Sequence, residues 1–423
     1  MRATVRIERF ADQGRCVAHI DGRVVFVRFA LPGELVDIEL DEPHDRDGRF
    51  WTGEVVGVRE ASGDRCDPAW PLAGPLSSGG GVGGADLVHV ARPGQLRWKA
   101  AIVAEQMRRL GHIDCPDVAI RSMPGDDKRG GLHWRTRMEL VADDEGRASM
   151  RRRGTHERVP VEDMPLATEA VLAAAEDAGV WRGGWTPGAS IRVVAPEPLE
   201  DDGVLHDHAV LVDGTVVSGT ETVHEKVRVA GHTFRYEVAS RGFWQVHRAA
   251  PAVFTSYVRD RALDALDGRD NAEVWDLYSG SGLFTVPLSL TLGSDVRVLS
   301  VEGSKTAVKS ARRNLHRAGA DQTDVRSGDV AKVLAGLPDG QGQPDVVVLD
   351  PPRAGAGARV CRAIANRGAR NVIYVSCDPA SLARDTATLV SLGYDPTSIQ
   401  AFDAYPMTHH VETIVAFRRS TRS

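Results

Sequence analysis

The chain has 423 residues, 42% of them hydrophobic and 26% charged, the balance of an ordinary globular protein long enough for two or three domains. That mix excludes collagen, a coiled coil and wholesale disorder, and no apolar run approaches the roughly 20 residues needed to cross a bilayer. A formal net charge of -6 excludes a protein coated in positive potential, but not an enzyme with local basic patches.

The N-terminus opens on alternating residues rather than an apolar leader, which reads as a cytoplasmic protein. Short strands are expected over 5–10, 15–19, 23–27, 34–40 and 51–58, with Asp21-Gly22 as a hairpin turn. Their number and length suggest a small OB-like β-barrel in residues 1–60. Residues 61–94 are rich in Gly, Pro and Ser, centred on 77–84, and read as a loop. A helix follows over 95–110, ended by Gly111.

The rest of a central, β-rich α+β domain (61–240) carries β-like stretches near 132–142, 190–195, 208–218 and 226–238, and a helix near 165–179. Basic residues concentrate here. Arg135, Arg137, Arg151, Arg152 and Arg153, with Trp134 among them, make a candidate RNA face in which guanidiniums meet phosphates and a ring stacks on bases. From about 241 to 423 strands and helices alternate, as in a doubly wound, Rossmann-like α/β domain whose ligands bind beyond the strand ends.

Four motifs fall at those strand ends. In Asp276-Leu277-Tyr278-Ser279-Gly280-Ser281-Gly282 the two glycines allow a tight turn close to a ligand. The leading Asp276 would repel a pyrophosphate, which disfavours a dinucleotide and favours S-adenosylmethionine, whose amino acid part is cationic. Glu302 ends the next strand, where a carboxylate can accept both ribose hydroxyls, and Asp329 is placed toward the adenine edge. Asp350-Pro351-Pro352-Arg353 is a loop stiffened by two prolines. It is related to the Asp-Pro-Pro-aromatic loop of amino-methyltransferases, but carries Arg353 at the aromatic position.

The last motif is Tyr374-Val375-Ser376-Cys377-Asp378-Pro379, which puts a thiol between a strand and a helix start, where the helix dipole favours thiolate. Carbon 5 of a uracil is too weak a nucleophile to take a methyl group directly. Addition of a thiolate to carbon 6 makes carbon 5 enolate-like, and a base must later remove its proton. Glu412, in His409-His410-Val411-Glu412, is the candidate base.

Taken together and in this order, the motifs resemble those of the RNA 5-methyluridine methyltransferases, class I S-adenosylmethionine enzymes that act on tRNA and rRNA. The resemblance is strongest over 240–423. It implies a TRAM domain at the N-terminus, Cys377 as nucleophile and Glu412 as base. Gln245, Tyr278, Glu302 and Asp350 match the cofactor positions, with Asp350 also toward the target uracil. Many relatives hold an iron–sulfur cluster through four cysteines. Here only Cys66 matches, 79–86 holds no cysteine and Met164 stands at the last position, so no cluster and no metal is expected and the Gly-rich loop reads as a relic. His247 and Leu283 replace asparagines usual in the family.

Two other readings stay open: an amino-group nucleic-acid methyltransferase using the Asp-Pro-Pro loop, and a non-catalytic RNA-binding protein with a vestigial methyltransferase fold. The RNA itself, 23S rRNA or tRNA, is not legible, and a monomer is expected. Cys16 is expected in the barrel core, and Cys115 and Cys361 show no partner.

Overall fold

Period-two alternation of apolar residues turns the first sixty positions into a curled six-stranded sheet, its core built from residues such as Ile7, Val17, Val25, Val27, Val36 and Ile38. Its outer strands, Arg2–Arg6 and Arg9–Ala11, do not pair with each other, so the curl stays open. Cys16 is buried in it, with Sγ 3.2 Å from the Ala30 carbonyl oxygen. The structure, a computed structural model, describes residues 1–41, 48–115, 117–198, 207–269, 271–338 and 342–420.

The middle of the chain forms a second six-stranded sheet, from Arg158–Pro160 at one edge to Thr215–Gly219 at the other, covered by the helix Glu169–Asp177. Thr168 caps that helix by accepting from the Val171 N–H at 3.4 Å. Both sheets share one apolar core. A separate hairpin, Thr222–Val229 with His232–Ala239, packs instead on the C-terminal sheet.

That third sheet has eight strands: β1 (Ile120–Ser122), β2 (Glu273–Leu277), β3 (Arg297–Glu302), β4 (Asp324–Ser327), β5 (Val346–Leu349), β6 (Asn371–Ser376), β7 (Tyr394–Asp403) and β8 (Glu412–Arg419). They lie in the order β4-β3-β2-β5-β6-β8-β7-β1. β2 to β6 are parallel; β2, β3, β5 and β6 are buried and mostly apolar, whereas β4, at the sheet edge, is polar and partly exposed, and β8 runs antiparallel between β6 and β7. The chain order reverses between β2 and β5, which opens the crevice of a doubly wound sheet at their carboxyl ends.

The segment assigned by sequence to the central unit crosses over: β1 pairs in parallel with β7. The helix α1 (Arg92–Leu110) packs against α2 (Pro379–Ser391). Lys99 of α1 is fully buried. Its ammonium pairs with Asp403 and donates to the Tyr405 carbonyl oxygen at 2.9 Å, while Arg92 reaches the same carboxylate at 2.6 Å. Burial pulls the lysine down, with Asp403 opposing, whereas Lys99 and Arg92 outweigh burial and hold the aspartate low. This knot ties the end of β7 to the N-terminal half of the chain.

Candidate active site

The sheet register alone brings the two proposed catalytic side chains together. Antiparallel pairing sets Ser376 opposite Thr413. Cys377 and Glu412 each lie one position past this last pair, close enough for Glu412 to act on the thiol. In the same way Leu277 lies beside Leu349, so Tyr278 and Asp350 leave neighbouring strands side by side. Asp378 caps α2 by accepting from Ser381 N–H at 2.6 Å, with Pro379 in the first turn, and this sharp start holds Cys377 at the strand end.

These residues line a cleft of about 950 Å³ that also takes in Gln245, Tyr278, Gly280, Glu302, Asp329 and Asp350. Tyr278 has φ +62° and Gly280 φ +56°, so the chain turns left-handed immediately after β2. Glu302 braces the turn: its Oε2 accepts from Gly280 N–H at 2.9 Å and its Oε1 from Ser304 N–H at 2.6 Å. Gly282 (φ +90°) lies behind this surface, against Ala311. Buried Asn314 ties the loop to the hairpin, donating to the Ser281 and Glu237 carbonyl oxygens at 2.9 and 3.2 Å. Asp329 caps the helix Val330–Ala335 through Lys332 N–H at 2.9 Å, yet still lines the cleft. Asp276 does not reach it. It is fully buried under the glycine turn, where Oδ2 accepts from the Thr285 hydroxyl and Oδ1 has no hydrogen-bond partner among the described residues.

Burial decides the charges. Desolvation, with Thr285 opposing and Glu302 adding, pushes Asp276 up to about 7. Burial and Asp276 push Asp350 to about 7. Glu412, buried beside Asp350, is held well above the carboxylate range, with the Tyr405 hydroxyl 3.4 Å from its Oε2. The expected depression of the Cys377 thiol is overturned. Burial, Glu412 and Asp350 push it up to about 12, against Arg353, because a helix start contributes only about 0.3–1 kcal/mol. Burial thus favours the protonated form of each of these groups.

The basic face divides. Arg135 lines the cleft beside Trp134, its guanidinium carbon 5.2 Å from the ring centroid. Arg151 is exposed. Arg152 is paired with Glu157 at 2.8 Å. Arg137 and Arg153 are struts rather than an RNA surface. Buried Arg137 pairs with Glu225 at 2.7 Å. Arg153 donates to the Ala73 and Gly74 carbonyl oxygens, each at 3.1 Å, and lies over Phe29.

The Gly-rich loop is not a relic. Val82 and Ala85 enter the core, and the N–H groups of Asp86 and Leu87 both donate to the Met407 carbonyl oxygen at 2.9 Å. Asp86 then meets His409 Nδ1 at 2.6 Å; burial opposes its charge, but His409 and Arg28 hold the carboxyl low. The loop thus anchors the segment that carries Tyr405 and His410. Cys66 is exposed and Met164 buried, and among the described residues no three His, Cys, Asp or Glu side chains group as a metal site.

Sequence reasoning missed Tyr405, Asp86 and Asn314. Tyr405 had a signal, an aromatic seven residues before the candidate base; Asp86 and Asn314 act across long sequence distances and had none.

The profile of the family described as tRNA (uracil-5-)-methyltransferase matches residues 212–328 and 332–420, and that of the TRAM domain matches 2–56. An RNA methyltransferase of Bifidobacterium longum is 59% identical over 99% of this chain and 97% of its own. The chain belongs to the RNA uracil-5-methyltransferase family. It is thus an S-adenosylmethionine-dependent enzyme that methylates carbon 5 of a uridine in RNA. A Streptomyces coelicolor RNA methyltransferase is 35% identical over 97% of this uracil-5-methyltransferase and 91% of its own length. The fold, with its N-terminal curled sheet, central β-rich part and Rossmann-like C-terminal part, recurs in the Pyrococcus abyssi tRNA (uracil-54, C5)-methyltransferase bound to S-adenosyl-L-homocysteine. That match has a TM-score of 0.66 at 19% identity over 99% of this chain and 100% of the other. Among the described residues no helix is long and apolar enough to cross a membrane.

Proposed function

We propose that Cys377 and Glu412 carry the reaction as nucleophile and base on a uridine exposed in structured RNA, rRNA or tRNA. One observation supports this reading: Cys377 and Glu412, each one position past the last β6–β8 pair, line the same cleft. The residues fit S-adenosylmethionine. The left-handed glycine turn gives backbone access, Glu302 presents its carboxylate to the ribose hydroxyls, and Gln245, Tyr278, Asp329 and Asp350 complete the wall. When bound, the cofactor supplies an electrophilic methyl group on a positively charged sulfur. Asp276 supports the glycine turn from below.

The Cys377 thiol first gives up its proton to solvent; the thiolate sulfur then forms a bond to carbon 6, and the C5=C6 pair moves onto carbon 5 and the carbonyl oxygen. Carbon 5 then takes the methyl group, and the carbon–sulfonium pair stays with the departing sulfur. Glu412 removes the carbon-5 proton, the double bond re-forms, and the sulfur–carbon-6 bond breaks to return the thiolate. At rest, protonating Cys377 and Glu412, and Asp350 in part, avoids three anions in one small volume; Glu412 acts as base only after it has lost its proton. Arg353, beside the thiol, favours its ionised form. On the RNA side, Arg135 and exposed Arg151 are the arginines that support phosphate or base contact.

We also infer a monomer working in the cytoplasm. We keep the division into 1–60 as RNA-binding barrel, 61–240 as central domain and 241–423 as catalytic domain, with 92–122 lent to the catalytic sheet. Mapping 5-methyluridine in total RNA with and without the gene tests the activity and names the site. Loss at one uridine, and capture of a covalent complex on 5-fluorouridine RNA by the wild type but not by Cys377→Ala, is expected. Methyl transfer that survives Cys377→Ala, with the methyl on a base nitrogen, would instead support amino-group chemistry.

A further inference from the structure

A second cavity of about 450 Å³ opens beside the catalytic cleft, well within the range of small-ligand sites. The two share a wall: Arg135, Phe243, Trp244 and Val246 line both. Its floor is soft and apolar, made by Met138, Met150 and Met164, and Trp70 closes one wall. Thioethers reshape around flat rings at little cost. Arginines outnumber acids in its lining, although Arg137, Arg192 and Arg241 each meet a carboxylate, of Glu225, Glu139 and Glu221. Arg135, Arg137, Arg192 and Arg241 line it against the single carboxylate of Glu139.

Two of these arginines are held at the rim. Arg192 donates to Glu139 at 3.1 Å and to the Gly242 carbonyl oxygen at 2.9 Å, while its buried Nε has no partner among the described residues. Arg241 meets Glu221 at 3.3 Å with 59% of its side chain exposed. Between the two cavities stands Phe243, 70% exposed, beside Trp244, which is buried with its Nε1 unpartnered among the described residues. A large ring so exposed between two cavities, flanked by guanidiniums, is the arrangement that stacks an unpaired base and holds its phosphate.

We propose that this annex takes the base of the nucleotide next to the target uridine on the same RNA strand. The inference rests on the uracil-5 reading and extends it. Pulling a uridine out of a stack leaves its neighbour unstacked. The annex opens beside the cleft that receives the uridine, and its rings replace the lost stacking while Arg192 and Arg241 meet the connecting phosphates. Recognition of the RNA then depends on two bases, one methylated and one only held.

The test uses the full-length enzyme with S-adenosylmethionine and an RNA hairpin carrying the mapped uridine, intact or abasic at one neighbour or the other. For wild type, one abasic position raises KM roughly five- to 150-fold, the range supported by one base–aromatic stack. Met150→Trp fills the annex. It raises KM for intact RNA to a similar degree, leaves kcat within about threefold, and makes the same abasic substitution nearly silent. Arg241→Glu, at an exposed position that tolerates change, raises KM and lowers the salt dependence of binding. The proposal is overturned if neither abasic RNA differs from intact RNA, if the abasic effect is equal in wild type and Met150→Trp, or if Arg241→Glu keeps the wild-type KM. Failure of the uracil-5 reading would look different: the wild type would then make no 5-methyluridine on any hairpin.

Discussion

Replacing Glu412 by glutamine removes a proton acceptor and almost nothing else. The side chain is 2% exposed, is held neutral by burial and Asp350, and keeps an oxygen for the Tyr405 hydroxyl at 3.4 Å. The new amide NH₂ enters a buried site without an assigned acceptor, which costs about 1–3 kcal/mol. At roughly 2–4 °C per kcal/mol for a domain of this size, Tm falls by about 10 °C or less. Catalysis falls much further, because loss of a general base costs about 10²–10⁴-fold. The loss comes after sulfur–carbon bond formation and methyl transfer, so Glu412→Gln should accumulate RNA covalently bound to Cys377 and already methylated. Denaturing gels of labelled RNA, with mass spectrometry of the digested adduct, read this directly. Turnover within tenfold of wild type, with no adduct on the gel, would refute Glu412 as the base.

Lys99→Met should destabilise the protein by about 3 kcal/mol, the low end for breaking a buried ion pair, because Arg92 still holds Asp403 at 2.6 Å; urea denaturation measures it. Asp276 titrates near 7 in the folded chain and near 3.9 when unfolded, so the folded state binds more protons between those values and stability should rise as pH falls from 8 to 5. Asp276→Asn should make that slope shallower and raise stability at pH 8 by on the order of 1–4 kcal/mol; an unchanged slope in thermal melts would contradict the assignment. Asp86→Asn should lower kcat several-fold while leaving cofactor binding by calorimetry intact, because it loosens the segment that carries Tyr405 and Glu412. Equal losses in both would place Asp86 in the cofactor site instead.

The chemistry was legible because each reacting group follows a strand in a contiguous motif. Cys377 precedes a helix cap with proline in the first turn, Asp350 precedes two prolines, and Glu302 closes an apolar run. A parallel strand writes itself as four or five consecutive apolar residues, so β2, β3, β5 and β6 could be read almost to the residue. β4 and β7 could not: their residues are largely polar or half-buried, and without apolar runs they carry no local signal.

What the linear sequence determined, then, is the set of reacting atoms and the order in which strands deliver them. The tertiary structure decided the surroundings of those atoms. Arg137 became a strut on Glu225, 88 positions away, and Arg153 on the carbonyls of residues 73 and 74, 80 and 79 positions away. Asp276 went beneath the cofactor turn rather than into the cleft, and Cys377 came to lie between two buried carboxylates that raise its pKa. A side chain's charge and availability depend on which distant groups fold against it, and that is set by long-range packing and desolvation, not by neighbours in sequence.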